Sequence, residues 1–323
     1  MSSSVAVPAT FRWLLDTRSQ WQDDFPTQAS THLSLFPPSI QDRILAYHFA
    51  KDRAMALGSA LLKHHAVHET NSLPYDSISF SNDQNTKKPI YIPPSPLLPC
   101  LSFNVSHQAG LVALIGVTGR QPNPEVGIDI VCVNERNELD RISADTVNGF
   151  DGWVDMHAEA FAPSEVHDMK TWLPSEDAEP IPPSRTISHA LMAQRLRRFY
   201  AFWALKEAYI KLRGDALLAP WLQELEFRNV RVPEAATDVG GLRSAMSDDP
   251  RHIVRDIQIW FRGERVTDVE MELRAVESNY MIATAVQTGG PNFKEADVGA
   301  SEDMFPTFRI LDIEEFVAAV EGS

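Results

Sequence analysis

The chain has 323 residues, 44% of them hydrophobic, which is enough for two domains or two fused subdomains with substantial cores. Its 29 Lys and Arg against 44 Asp and Glu leave a formal charge of -15, which excludes a general nucleic-acid binder but not a small anion held by a few local cations. Cys100 and Cys132 are too few for a disulfide framework or thiolate zinc site; with no signal-like N-terminus and no apolar run near the ~18 residues a membrane span needs, a soluble cytoplasmic protein is expected.

In chain order, FRWLLDT (11–17) reads as a strand, and apolar residues at helical spacing predict a helix from Pro38 to Glu69. Three strand-like pieces follow: 77–81, 89–92, and a hairpin over 101–117 turned at Ala109 and Gly110. The second half repeats that order, with a helix over 189–213 and strands over 224–230, 257–263, 267–276 and 279–287. Helix, strands and closing hairpin thus occur twice, which predicts an α+β protein of two similar subdomains in a pseudo-twofold arrangement. We place the N-terminal subdomain at 1–122, the C-terminal one at 123–290, and an acidic, mobile tail at 291–323, in which 308–320 has the pattern of a short docking helix as the alternative to a solvated tail. A ligand cleft between the halves is expected. Residues 118–124, 173–188 and 231–252 are rich in turn formers and read as irregular.

Two features carry chemistry. In the segment 202–217, Phe202, Leu205, Tyr209 and Leu212 cover one side, and Trp203 and Ile210 extend the apolar arc past Lys206, leaving Glu207 and Lys211 as the polar strip. A buried charge needs a partner or a metal; the plain reading is an intrahelical Glu–Lys pair. In EVGIDIVCV (125–133), Asp129 is a lone carboxylate within a buried-looking strand, beside Gly127 on the same face. Such an aspartate either pairs with backbone or an arginine, or ligates a hard metal together with a second carboxylate, for which Glu207 is the candidate. Ser106 and His107 close a strand, and Lys51 and Lys88 are ordinary surface cations unless a polyanion sits nearby.

Taken together, Lys88-Pro89, Phe103-Asn104-x-Ser106-His107, Gly127-Ile128-Asp129 and Trp203-x-x-Lys206-Glu207-Ala208-x-x-Lys211 resemble the signature set of the Sfp-type 4'-phosphopantetheinyl transferases, particularly the larger fungal and animal members. The resemblance spans roughly residues 11–287. It implies two similar α+β halves with the active site in the cleft between them, and transfer of the phosphopantetheine arm of coenzyme A to a serine of an apo carrier protein, releasing adenosine 3',5'-bisphosphate. Asp129 and Glu207 would hold Mg2+, with Mn2+ as a substitute, and Glu207 would take the serine proton. Lys211 and Lys206 would meet the phosphates, and Ser106, His107, Lys51, Lys88 and Pro89 the nucleotide end. The implied partners are acyl, peptidyl and aminoadipate-reductase-type carriers of polyketide, nonribosomal-peptide and lysine biosynthesis; nucleic acid and membrane are not among them, and the enzyme would act as a monomer. A coenzyme A binding protein without turnover is the alternative, which the intact Asp129, Glu207 and Lys211 disfavour. One departure is Val131, where some bacterial members carry a third carboxylate; a water, or else Gln108, would complete the metal shell. In FAPSE (161–165) the Pro-Ser-Glu run suits a helix start, so Glu165 is kept off the catalytic set. The charged loop over 134–160, with Trp153 and Met156, is the candidate carrier-docking surface.

Overall fold

A computed structural model describes residues 9–21, 24–83, 88–119, 124–145, 149–173, 189–215, 219–236, 241–246, 248–288 and 304–321. The chain opens with β1 (Ala9–Asp16), the short helices α1 (Phe25–Gln28) and α2 (Ser30–Leu33), then α3 (Pro38–Leu45) and α4 (Ala50–Asn71). The single helix expected over 38–69 is therefore two. Consecutive rings at Tyr47, His48 and Phe49 are weak helix formers, Phe49 is extended at the start of α4, and the Arg53 guanidinium donates 2.7 Å to the Tyr47 carbonyl.

Next come β2 (Phe80–Asn82), β3 (Pro89–Tyr91) and the hairpin β4 (Cys100–Gln108) and β5 (Leu111–Gly119). Its two-residue turn sits where expected. Ala109 and Gly110 have φ of 47° and 86°, the left-handed pair that matches strand twist, and it sets the register Gln108 opposite Leu111 through Cys100 opposite Gly119. The next elements are β6 (Val126–Cys132), α5 (Glu138–Ala144), α6 (Gly149–Met156), α7 (Pro163–Thr171) and the long α8 (His189–Arg213). The loop expected over 134–160 is thus largely helical, with Leu139 and Ile142 buried on α5 and Phe150 and Val154 on α6. Helix α8 stops at Gly214, φ 74°, where the Asp215 amide donates 3.2 Å back to the Ile210 carbonyl, a closing bond that glycine permits.

The remainder is β7 (Leu225–Arg228), α9 (Gly241–Ala245), β8 (Ile253–Val254), β9 (Gln258–Phe261), β10 (Glu264–Val266), β11 (Val269–Val276), β12 (Tyr280–Gln287), β13 (Arg309–Leu311) and α10 (Ile313–Glu321). The sheets run β13-β1-β5-β4, β10-β9-β7, β6-β12-β11-β8 and β2-β3. Mixed α+β architecture is as expected.

The chain divides into two compact units. The first comprises 1–130, 211–214 and 284–323, and the second 131–210 and 215–283, so the division is not the sequential one placed at 122, and it runs through β6, α8 and β12. Each unit has its own core. In the first, α4 buries Leu57, Leu61, Leu62 and Val67 with Trp13 and Leu15 of β1 and Val112 and Leu114 of β5.

The expectation of a mobile tail is corrected for 304–321. Strand β13 adds to β1 in parallel, Trp13 opposite Arg309, and Leu311, Ile313 and Phe316 join the first unit's core. The Arg12 guanidinium, 1% exposed, donates to the carbonyls of Pro306 at 2.6 Å and Phe305 at 2.8 Å and lies 4.4 Å from the Phe308 ring centre. The apolar stripe outweighs the net acidity and offsets the cost of ordering by burial; the rest of the tail, 291–303 and 322–323, lies outside the described residues.

Candidate active site

Strand β6 is buried along its whole length, so Asp129, 6% exposed, needs partners. It has two. The Lys211 ammonium lies 2.6 Å from Oδ1, and the Ser106 hydroxyl donates to the same oxygen at 2.9 Å. Lys211 also donates to Ser106 Oγ at 2.9 Å, which closes a triangle of lysine, serine and aspartate. All of these residues belong to the first unit. The plain reading of Lys211 as the intrahelical partner of Glu207 gives way to a tertiary one, since it reaches β6 and β4.

Two side chains of β4 serve the β6 backbone. Asn104 Oδ1 accepts from the Ile128 amide at 3.1 Å, and Ser106 Oγ accepts from the Ile130 amide at 3.3 Å. His107 alternates to the other side of β4 and is exposed. Even so, the crowding around its ring, then the Lys211 charge, hold its imidazole below the usual histidine range, and Asp52 and Asp129 pull the other way.

Lys88 and Pro89 line a cavity of about 480 Å³ in the first unit, together with Tyr91, Phe103, Glu125 and Arg213. The Lys88 ammonium bonds Glu125 Oε2 at 2.6 Å and the Val126 carbonyl at 3.1 Å, which ties it to the base of β6. Lys51 stands exposed in the first turn of α4.

Lys206 sits differently. In the second unit its ammonium, 2% exposed, lies 2.8 Å from Glu165 Oε2 and donates to the carbonyls of Leu222, at 3.2 Å, and Leu225. Three donors meet three protein acceptors, which gives Lys206 a structural role in tying α8 to α7 and to the start of β7. Glu165, 1% exposed, does begin α7 as expected: Oε2 accepts from the Ala162 amide at 2.8 Å, and Oε1 from the Phe227 amide at 2.7 Å. Burial raises the Glu165 carboxyl and lowers the Lys206 ammonium, and each is drawn back by the other. The sequence signal for this pair was present in the apolar arc that encloses Lys206. Its partner, 41 residues earlier in the chain, has no local signature.

Glu207 follows Lys206 on α8 and is half-buried. Among the described residues no cluster of three or more His, Cys, Asp or Glu gathers as a metal site. Mg2+ takes one or two carboxylates with waters and substrate phosphates. Asp129 fits such an ion. Both of its hydrogen bonds fall on Oδ1, so Oδ2, a hard oxygen donor, lies outside them.

Comparison with known proteins gives the family. Residues 19–119 match the model of the 4'-phosphopantetheinyl transferase N-terminal region, and 125–266 that of the 4'-phosphopantetheinyl transferase superfamily. 4'-Phosphopantetheinyl transferase A of Aspergillus fumigatus is 34% identical over 97% of this chain and 94% of its own length. The 4'-phosphopantetheinyl transferase of Aureobasidium melanogenum is 35% identical over 95% and 96%. The L-aminoadipate-semialdehyde dehydrogenase-phosphopantetheinyl transferase of Homo sapiens is 24% identical over 96% and 80%. The triangle built on Asp129 therefore lies in a member of the 4'-phosphopantetheinyl transferase superfamily, and the chain is an enzyme of that class.

Proposed function

We propose that the protein moves the 4'-phosphopantetheine arm of coenzyme A onto a serine of an apo acyl or peptidyl carrier domain. The observation that carries this reading is the Lys211–Ser106–Asp129 triangle, which holds one carboxylate oxygen and leaves the other for a cation. A carrier of the aminoadipate-reductase type is included because the Homo sapiens relative is named for L-aminoadipate-semialdehyde dehydrogenase.

In the reaction the carrier serine Oγ bonds to the phosphorus bearing the pantetheine arm. The P–O bond to the nucleotide breaks, and adenosine 3',5'-bisphosphate leaves with that electron pair. Glu207 accepts the serine proton. Asp129 and Glu207 would hold Mg2+, or Mn2+, which would neutralise charge on the pyrophosphate. Lys211, drawn from Asp129 toward the phosphates, supplies a positive charge where negative charge develops. His107, Lys51, Lys88 and Pro89 receive the nucleotide end, joined by Ser106 where its hydroxyl exchanges Asp129 for the ligand; a phosphate dianion beside His107 draws its imidazole back up.

The test is direct. Incubated with coenzyme A, Mg2+ and an apo carrier protein, the enzyme should raise the carrier mass by one phosphopantetheine and release one adenosine bisphosphate per carrier modified. Bound coenzyme A with an unchanged carrier would overturn transfer, and nucleotide release without a heavier carrier would point to hydrolysis.

A further inference from the structure

The edge of β6 that faces β4 is closed by side chains rather than by backbone. Ile128 and Ile130 are two residues apart, so their amides point to the same edge about 6.6 to 6.8 Å apart. Asn104 and Ser106 are likewise two apart on β4, and they supply an acceptor to each amide in the same order, Asn104 to Ile128 at 3.1 Å and Ser106 to Ile130 at 3.3 Å. The equal period makes this a two-rung ladder. Asp129 sits between the rungs, and the upper rung, Ser106, is also its hydrogen-bond donor at 2.9 Å.

The rungs are not equivalent. Ser106 already serves Lys211, Asp129 and Ile130. The Asn104 side chain, on a residue 7% exposed, makes one hydrogen bond among the described residues, to the Ile128 amide, and none to the charged groups. Its own position is fixed by the β4–β5 hairpin, where it lies opposite Ile115. An amide left without its acceptor in this buried strand costs about 1–3 kcal/mol, and β6 relieves that cost by shifting along or away from β4. Such a shift carries Asp129 with it.

We propose that Asn104 is a positioning residue for phosphopantetheine transfer: through Ile128 it fixes the placement of β6, and so the stand of the Asp129 carboxylate against Ser106 and Lys211. The inference rests on the reading of Asp129 as part of the reacting site. It asks for an acceptor at position 104 and nothing else of that side chain.

Two variants separate positioning from bulk stability. Asn104→Leu keeps approximate shape and removes the acceptor; Asn104→Asp keeps an oxygen at the same place. Assayed well below the unfolding temperature of each variant, Asn104→Leu should lower kcat by about 10- to 100-fold, the range expected when a reacting group is displaced by an ångström or less. KM for the carrier protein should stay within about threefold of wild type, and Asn104→Asp should recover most of kcat. Amide hydrogen exchange of the 126–132 segment is read on the same samples, and should quicken in the leucine variant and return toward wild type in the aspartate one. Wild-type kcat in a folded Asn104→Leu protein, or equal losses in both variants that track their melting temperatures, would overturn the inference. If wild type fails to transfer phosphopantetheine, the functional reading falls; the exchange measurement still decides whether Asn104 holds β6.

Discussion

Lys206 and Lys211 lie five residues apart on one helix, each with a carboxylate within hydrogen-bond reach, yet their surroundings give them opposite uses. The Lys206–Glu165 pair is closed, at 2% and 1% exposure, with every lysine proton taken by protein. The Lys211–Asp129 pair is 27% and 9% exposed, and its hydrogen bonds leave one carboxylate oxygen unused. A closed pair fixes structure, because breaking it strands a charge in a medium that cannot solvate it. An open pair can exchange its partner for a ligand. The difference between them is the accessible side, not the chemical type.

The largest effect falls on the open side. Glu207→Ala should keep the fold and lower carrier modification by about 10³-fold or more, since it removes both the base and a metal ligand in the proposed reaction. Near-normal turnover, read as carrier mass gained per minute, would sink that assignment. On the closed side, Glu165→Ala should destabilise the protein by about 3–5 kcal/mol. The double variant Glu165→Leu with Lys206→Met should regain, in a denaturant titration, only the part of that loss due to the stranded charge, because the Ala162 and Phe227 amides remain without their carboxylate acceptor. If the folded double variant is inactive, Lys206 has a role in the reaction that its three protein acceptors conceal.

Much of this contrast was legible in the sequence. Helical periodicity placed Lys206 inside an apolar arc, and strand alternation singled out Asp129 as a carboxylate in need of a partner. Periodicity describes one element at a time, however, and the partners come from others: Glu165 from α7, Ser106 from β4. The hairpin turn was readable because Ala109 and Gly110 are local, and 308–320 carried the pattern of a short docking helix, although three acidic residues at 312, 314 and 315 weighed toward a solvated tail and against burial of Leu311, Ile313 and Phe316.

Lys211→Met sharpens the comparison on the same helix. It should cost less stability than Glu165→Ala, because Asp129 keeps the Ser106 hydroxyl and the pair is less enclosed. Transfer should fall by about 10²-fold, as for loss of one preorganised positive group. A Lys211→Met protein that is destabilised as strongly as Glu165→Ala, with kcat unchanged in the folded fraction, would make the two pairs alike and end the distinction.

The smallest effect belongs to His107, whose imidazole is held low by its crowded surroundings and by Lys211. A histidine lowered in the folded state leaves the unfolded chain binding more protons below the ordinary value near 6.5, so its contribution to stability is present above that pH and declines as pH falls toward the folded value. Ligand binding has the opposite sign. A phosphate dianion beside the ring favours the protonated form, so coenzyme A affinity should rise by a factor within about tenfold as pH falls from 8 toward 6. Calorimetry in buffers of different ionisation enthalpy should show proton uptake on binding. His107→Gln should abolish that uptake and flatten the affinity profile, while unchanged uptake in the variant would move the proton, and with it the 3'-phosphate, away from position 107.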